Sequence, residues 1–479
     1  MQLYRYRSVE RALEEIEKGT WYFAGREELN DPIEGYVRVY WQGDRPAWSG
    51  LFRNYICSLF MAMQHYLLID EKTYLNKSSE EILKGFRSHS LLKSVHQFDS
   101  LPLGMVLQEL RQQFLNNPIV QGFVQIYGDK KIKCSAKELH LILTAIHSTA
   151  FSDCIEKFQQ LKVVSPEYYN PSSCDEPFPV EKLQYLYEGE RKKILELFSE
   201  MLADNLEWEL SFKFNIPKDT LTINLHDKQQ LMNLEVQLNY PAIYISQLEE
   251  LLYPDGYVIC FSKQNDNSAM WGNYAKNHTG VCLIYETKQS DSKEVIELSP
   301  GNIRKVDIAK VNYSNNTLQK NFFDTLTNMT YAELEYWLKD EQGNQSKYLK
   351  EYDYYSSENW HRNYWEEYKE KFLTKMKAWE YEQEYRAIIR PLEAEKHIFS
   401  YNSAAFKGII FGINTSAEDK INLIRKVRSV SQLSDDFKFY QAEYDDDLQK
   451  IIIREKKYLS IKGDRKKQIQ DQVMSIGEH

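Results

Sequence analysis

No stretch of the chain reaches the roughly 18 to 20 consecutive apolar residues that a membrane helix needs. The longest apolar patches, such as LILTAI at 141–146, are core-sized, so a soluble protein with no membrane partner is expected. The N-terminus, MQLYRYRSVERALEEIEKG, has early arginines but no apolar run. That reads as neither a secretory signal nor a lipid anchor, and the mature chain is expected to start there. The six cysteines, Cys57, Cys134, Cys154, Cys174, Cys260 and Cys282, are scattered without a CxxC pair. This spacing argues against a disulfide scaffold or a zinc framework and for reduced thiols in the cytoplasm, and no metal site is assigned. A P-loop, a Rossmann glycine fingerprint, HExxH, GxSxG and the protein-kinase signature are all missing, which removes several large enzyme classes. A strongly basic balance is missing too: the formal net charge is -10, with both signs mixed along the chain, which argues against a dominant field for nucleic acid.

What the chain has in quantity is aromatic side chains, 14% of residues with 34 Tyr and 9 Trp, many within charged segments. Such rings suit pockets and partly wet interfaces. With 479 residues, two or three domains or one domain with large insertions can form a sizeable core.

The pattern along the chain predicts an α+β fold, a small split β-sheet core carrying a large helical insertion. QLYRYRS reads as a strand, and Val9 to Lys18 as an amphipathic helix with Val9, Leu13 and Ile16 on one stripe, stopped by Gly19. WYFAG is a short aromatic strand and ELNDPIEGY a turn. Residues 1–56 thus form the first part of the core, and 57–250, rich in Leu, Phe and Tyr at helical spacing, a helical insertion. The core resumes over 251–440: GYVICFS, VCLIYE, a strand pair over 303–314 and FKGIIFG are strands, 318–376 is helical, and TSAEDKINLIRKVRS is a helix capped by Thr415 or Ser416. Residues 441–479 read as a tail whose basic end, with Lys456, Lys457, Arg465, Lys466 and Lys467, is solvated.

Three constellations can carry chemistry. In WEYEQEYRAII, residues 379–389, a carboxylate recurs at every second position, Glu380, Glu382 and Glu384. If the segment is extended, all three project from one face, and neighbours are about 7 Å apart at Cα. Such a pair can hold a sugar hydroxyl and orient a nucleophile; an exposed strand face, or pairing with Arg386 and Arg390, gives the same pattern. In CFSKQNDNSAMWGNYAKNHTGVCLIYE, Asn267 or Ser268 caps a helix bearing Trp271, Tyr274 and His278, after Ser262 at a strand end. His278 fits a phosphate or a ring, or a C-capping role. In LYRYRS, Arg5 and Arg7 share one strand face, suited to bidentate capture of phosphate or to keeping an edge strand soluble, with Tyr4 and Tyr6 on the other face.

In this order, LYRYRS, ELNDPIEG, VICFSKQNDNSAMWGNYAKNHTGVCLIYE, WEYEQEYRAII and FKGIIFGINTS resemble a bacterial family of unknown function, number 2971 in the domain-of-unknown-function series. The resemblance covers 1 to about 40 and 250 to about 430. At a second level the chain is similar to ADP-ribosyltransferases, which carry an arginine or histidine on the first strand, a serine or tyrosine on a middle strand and a late glutamate. Arg5 or Arg7, Ser262 and Glu382-Gln383-Glu384 occur in that order. Ser262 lacks the following Thr-Ser of that pattern, and a large insertion separates the first two elements.

This resemblance implies a cytoplasmic enzyme that consumes NAD, an ADP-ribosyltransferase or NAD glycohydrolase, acting on an unidentified protein or nucleic-acid acceptor. A toxin-like or antiviral, phage-defence setting follows from the type of family. It implies Glu384 on the ribose hydroxyls, Glu382 orienting the acceptor and Ser262 supporting the glutamate. Arg5 or Arg7 would hold the pyrophosphate, and Tyr6, Trp271, Tyr274 and His278 would complete the nucleotide site, with Trp271 or Tyr274 stacked on nicotinamide. Two other readings stay open: a non-catalytic recognition or scaffold protein, and a metal-assisted nuclease using Asp31, Glu34, Asp266 and His278.

Overall fold

The computed structural model describes residues 1–31, 33–68, 102–164, 228–252, 256–299, 304–326, 329–350, 358–390, 397–430 and 436–457, with the isolated positions 191, 193, 196 and 433. The chain is an α+β protein that divides into two compact units, one of Met1–Tyr36, Pro254–Leu318 and Trp365–His479, the other of Val37–Tyr253 and Gln319–Tyr364. These boundaries differ from those read in the sequence: residues 37–56 and 319–364, both read as part of the core, belong to the second unit.

The second unit is built on helices Arg45–Leu68, Pro102–Leu115, Pro118–Lys130, Ala136–Gln160 and Lys228–Leu252, with a three-stranded sheet of Leu318–Asn321, Val37–Trp41 and Cys134–Ser135. Its long helices bury one another: Trp48, Phe52, Tyr55, Tyr127 and Tyr244 are inaccessible. His147 is satisfied inside, with the Tyr55 hydroxyl at 2.7 Å and the Val236 carbonyl at 2.9 Å.

The first unit holds the expected site, and its elements are labelled in chain order. They are β1 (Gln2–Arg7), α1 (Val9–Lys18), β2 (Thr20–Tyr22), β3 (Tyr257–Ser262), α2 (Ser268–Tyr274), β4 (Val281–Glu286), β5 (Lys288–Ser290), β6 (Lys293–Ser299), β7 (Arg304–Lys310) and β8 (Asn312–Ser314), followed by β9 (Thr374–Met376), β10 (Glu384–Ile389), β11 (Ile398–Tyr401), β12 (Phe406–Phe411), α3 (Ala417–Ser429), β13 (Lys438–Asp445) and β14 (Lys450–Glu455). Twelve of the strands form one sheet in the order β14-β13-β12-β4-β1-β3-β10-β7-β6-β11-β2, with β5 on β6. The pairing is antiparallel except for β12 with β13. β13 and β14 correct the reading of 441–479 as a tail. β13 is an inner strand between β12 and β14, burying Phe439 on one face of the sheet and Ala442 on the other. Of the basic residues expected there, Lys456 and Lys457 end the described chain, while Arg465, Lys466 and Lys467 lie outside the described residues.

α1 forms because Ser8 caps it, accepting from the Arg11 amide, and because Gly19 ends it in the left-handed conformation at φ 58°. Its stripe of Val9, Ala12 and Ile16 packs with Leu3, Phe261, Leu283, Tyr285 and α3 residues on one sheet face. The opposite face carries Tyr6, Cys282, Ile284 and Ile410 against Met270 and Trp271 of α2.

Candidate active site

β1 pairs with β4 over its whole length, and β3 with β10 over its whole length, but β1 and β3 meet only where Tyr4 stands opposite Ser262. Beyond that pair the strands part. Arg5 bridges the opening with its guanidinium, Nη1 donating to the Cys260 carbonyl at 3.3 Å. The split opens a cavity of about 590 Å³, large enough for a dinucleotide. Arg5, Arg7, Ser262, Tyr274, Glu382 and Glu384 all line it.

Strand alternation sends Arg5 and Arg7 to the α1 side of the sheet. There both Nε atoms lie 3.2 Å from Oε2 of Glu15, whose Oε1 accepts from the Tyr285 hydroxyl at 2.7 Å. Burial alone would raise the Glu15 carboxyl, but Arg5 and Arg7 hold it below its ordinary range. Arg5 is buried over the Phe261 ring, and Arg7 is the more exposed of the two, at 24%.

On the other side of the split the acids gather, though not as an extended run. Residues Lys377–Glu382 form a 3-10 turn, and Gln383 is left-handed at φ 46°, so β10 begins only at Glu384. Glu380 is exposed on that turn. Glu382 and Glu384 nevertheless meet, because both carboxylates reach one ammonium: Lys375 Nζ lies 2.6 Å from Glu382 and 3.2 Å from Glu384. Arg386, two residues along β10, grips Glu384 with two bonds, 2.9 Å from Nε and 2.7 Å from Nη2, and donates Nη1 to the Phe372 carbonyl. A third acid, Glu34, contacts Lys375 at 3.3 Å and also Arg386, with neither oxygen accepting a directed hydrogen bond. Its turn is set by Asp31, which accepts from the Ile33 amide, and by Gly35, whose φ of 68° suits glycine.

All five charged groups are no more than 5% exposed, so their charges must be matched inside. Burial pushes Glu34 up, against the pull of Arg386 and Lys375. Burial acts the same way on Glu384, but Arg386 and Lys375 outweigh it and hold that carboxyl down at about 2. Burial would lower Lys375, yet Glu384, Glu34 and Glu382 keep it charged.

Ser262 donates to the Glu382 carbonyl at 2.7 Å and accepts from the Gln264 amide at 3.0 Å. It thus fixes the main chain of the acid turn, not a carboxylate. Asn267 caps α2 by accepting from the Ala269 amide and donates its own amide to the Tyr381 carbonyl at 3.1 Å, tying α2 to the same turn. α2 then presents Tyr274, whose hydroxyl donates to Glu382 Oε1 at 2.5 Å and accepts from Asn30. Burial and the Glu382 bond push that hydroxyl up, so it remains a donor.

The other ring residues expected at the site fall elsewhere. Trp271 is fully buried, edge-on to Tyr6 with centroids 5.1 Å apart, and its indole donates to the Asn265 carbonyl. It is a core residue, not one that can stack on a ligand. Tyr6 touches the cavity but spends its hydroxyl on the Gln264 carbonyl at 3.0 Å. His278, left-handed at φ 65° beyond the end of α2, faces a second cavity of about 480 Å³ with Asp266, Ser268 and Lys450. The four residues of the nuclease reading are therefore dispersed, Glu34 in one cavity and Asp266 and His278 in the other. Among the described residues no group of three or more His, Cys, Asp or Glu is placed to hold a metal ion. No helix among them is long and apolar enough to cross a membrane.

Residues 270–387 match the model of a family described as protein of unknown function, DUF2971. The matched stretch holds Tyr274, Lys375, Glu382, Glu384 and Arg386, but neither β1 nor Ser262. Comparison with curated proteins and with solved structures returned no match.

Sequence reasoning missed Glu15 and Lys375. Glu15 carries a signal, being an acid on the apolar stripe of α1 between Ala12 and Ile16. Lys375 carries none, since a three-residue strand in LTKMKAWE has no readable period.

Proposed function

We propose that the chain is a cytoplasmic enzyme that binds NAD or a related nucleotide in the split of the sheet and breaks the bond between nicotinamide and ribose. ADP-ribose then passes to water or to a macromolecular acceptor. The observation that carries this reading is the alignment of Tyr4, Ser262 and Glu384 across three neighbouring strands at the mouth of the split. Arginines and the Glu382–Glu384 acid pair thereby line one cavity. The order of arginine strand, serine strand and Glu-x-Glu, similar to that of ADP-ribosyltransferases, supports it.

When the glycosidic bond breaks, its electron pair leaves with the nicotinamide nitrogen and positive charge develops on the ribose ring. Glu384, kept ionised by Arg386 and Lys375, is a fixed negative charge facing that centre, and a preorganised charge needs no rearrangement to act. Glu382, with one oxygen on the exchangeable Tyr274 hydroxyl, orients the acceptor and takes its proton. Arg7, partly exposed beside Glu15, reaches the pyrophosphate. A toxin-like or phage-defence effect would follow from NAD depletion or from modification of a cellular acceptor.

One observation favours a second reading, a module that binds the nucleotide without breaking it: both Glu384 oxygens are already engaged by Arg386. A single experiment separates the two. Purified protein incubated with NAD is expected to release nicotinamide, and Glu384→Gln, shown by circular dichroism to be folded, is expected to release none. Binding of ADP-ribose with no nicotinamide from the native chain would establish the module instead.

A further inference from the structure

The small parallel pair β8–β9 lies outside the twelve-stranded sheet and has one evident use. Its central residues, Tyr313 and Lys375, stand opposite each other and both reach Glu384. The Tyr313 hydroxyl oxygen accepts from the Glu384 amide at 2.8 Å, and the Glu384 carbonyl accepts from the Val311 amide at 2.9 Å. Lys375 reaches the carboxylate itself, with its ammonium 5.0 Å from the Trp379 ring centroid. One strand pair therefore sets both the main chain and the side chain of a single acid.

Resting on the catalytic reading above, we propose that Lys375 is a positioning residue: delivered by β9, its ammonium holds the Glu382 and Glu384 carboxylates side by side against the cavity. Nothing else in the cluster can do this. Arg386 serves Glu384 and Glu34 but makes no bond to Glu382, and Tyr274 and Asn30 are neutral. Three carboxylates, Glu34, Glu382 and Glu384, face two cations, so removal of Lys375 leaves Glu382 without a cationic partner.

Every packed element contributes to that balance. The turn before Gly35 supplies Glu34, β3 the Cys260 thiol, α2 Tyr274, β8 Tyr313, the 3-10 turn Glu382, and β10 Glu384 and Arg386. Apart from Lys375 and Arg386, all of these are acidic or neutral groups. With Lys375 gone, the neighbouring acids repel each other, and proton uptake relieves that repulsion by moving one of them into the range in which enzymes work.

The test is Lys375→Met, near-isosteric and neutral, in the full chain with glutamate labelled by carbon-13 at the carboxyl carbon. In the native chain Glu384 should stay ionised between about pH 5 and pH 8; in K375M an additional carboxyl of the cluster should titrate in that range. With NAD as substrate, K375M should lower kcat about a hundredfold, the scale of a misplaced catalytic group, with KM little changed and a new acid limb in the pH profile. A folded K375M with native carboxyl titration and a native pH profile would overturn the proposal. If K375M does not fold, the double variant K375M/E34Q keeps the balance between acids and cations and is read in the same way. Absence of NAD turnover in the native chain would refute the catalytic reading alone, because the titration still decides the role of Lys375.

Discussion

Ser262 and Glu384 stand directly opposite each other on neighbouring strands, yet the serine hydroxyl passes the glutamate by and donates to the Glu382 carbonyl at 2.7 Å. It anchors the corner at which the 3-10 turn becomes β10. Ser262→Ala leaves that buried carbonyl without its donor, a loss of about 1–3 kcal/mol. Thermal unfolding of the variant should report that loss. Nicotinamide release should fall by more than the stability change explains, with kcat reduced at least about tenfold and KM near the native value. A variant that loses stability but keeps native kcat would limit Ser262 to a structural role.

Acid should unfold this unit through Glu384, with Glu34 acting in the opposite sense. Glu384 sits near 2 in the fold, below its ordinary value of 4.5. The native state therefore holds fewer protons than the unfolded chain between those values, and stability present above them is lost as pH falls. The effect is on the order of 3 kcal/mol. Glu34 is raised by burial, so its contribution is present at low pH and is lost as pH rises. Denaturant unfolding of E384Q from pH 6 to pH 3 should show a flatter acid limb than the native chain, and E34Q a steeper one. The reverse order would mean that the two acids had been assigned each other's environment. Because E384Q also leaves Arg386 buried without its main partner, it should lose up to about 3–5 kcal/mol at neutral pH.

The parts of the fold with a long period were legible in the sequence. β1, β3, β4 and β12 are apolar or alternating runs bounded by turn residues, and α1 and α3 carry their own caps in Ser8 and Ser416. What was hidden lies where local conformation changes within a few residues. WEYEQEYRAII alternates perfectly on paper, but its first half is a 3-10 turn, because Gln383 turns left-handed and resets the phase. The acids meet through Lys375, which no spacing rule connects to them. Trp271 and His278 read as one stripe of a single helix, but α2 ends at Tyr274 and His278 lies beyond it. Trp271 faces the core and His278 the second cavity, and it is the loop capping α2 that reaches the acid turn, through Asn267.

The two arginines of β1 should separate cleanly in kinetics. Arg5 is buried, bridges the split to the Cys260 carbonyl and packs on Phe261. Arg5→Ala should therefore cost about 3–5 kcal/mol of stability. Arg7 is partly exposed and shares Glu15 with Arg5. Arg7→Ala should leave stability within about 1 kcal/mol. A lost charge-assisted contact to pyrophosphate should raise KM for NAD about tenfold to a hundredfold. Steady-state kinetics with NAD and calorimetric titration with ADP-ribose would check this. Unchanged affinity in R7A would remove the pyrophosphate from this end of the cavity.

Tyr274 and Trp271 sit three residues apart on α2 but should behave oppositely. The Tyr274 hydroxyl donates to Glu382 Oε1 at the cavity wall, so a ligand hydroxyl that takes the same oxygen must first displace it. Tyr274→Phe keeps the ring on the cavity wall and removes the competitor. KM for NAD should fall or stay level, while stability drops by about 1–3 kcal/mol for the unsatisfied carboxylate. Trp271 has no surface in the cavity, its indole being committed to the Asn265 carbonyl and its ring to Tyr6. Trp271→Phe should cost about 1–3 kcal/mol through packing and the lost bond, with KM within about twofold of the native value. A rise of about tenfold in KM for W271F at native stability would place that ring on the ligand after all, and a rise for Y274F would make its hydroxyl a ligand contact instead of a placeholder.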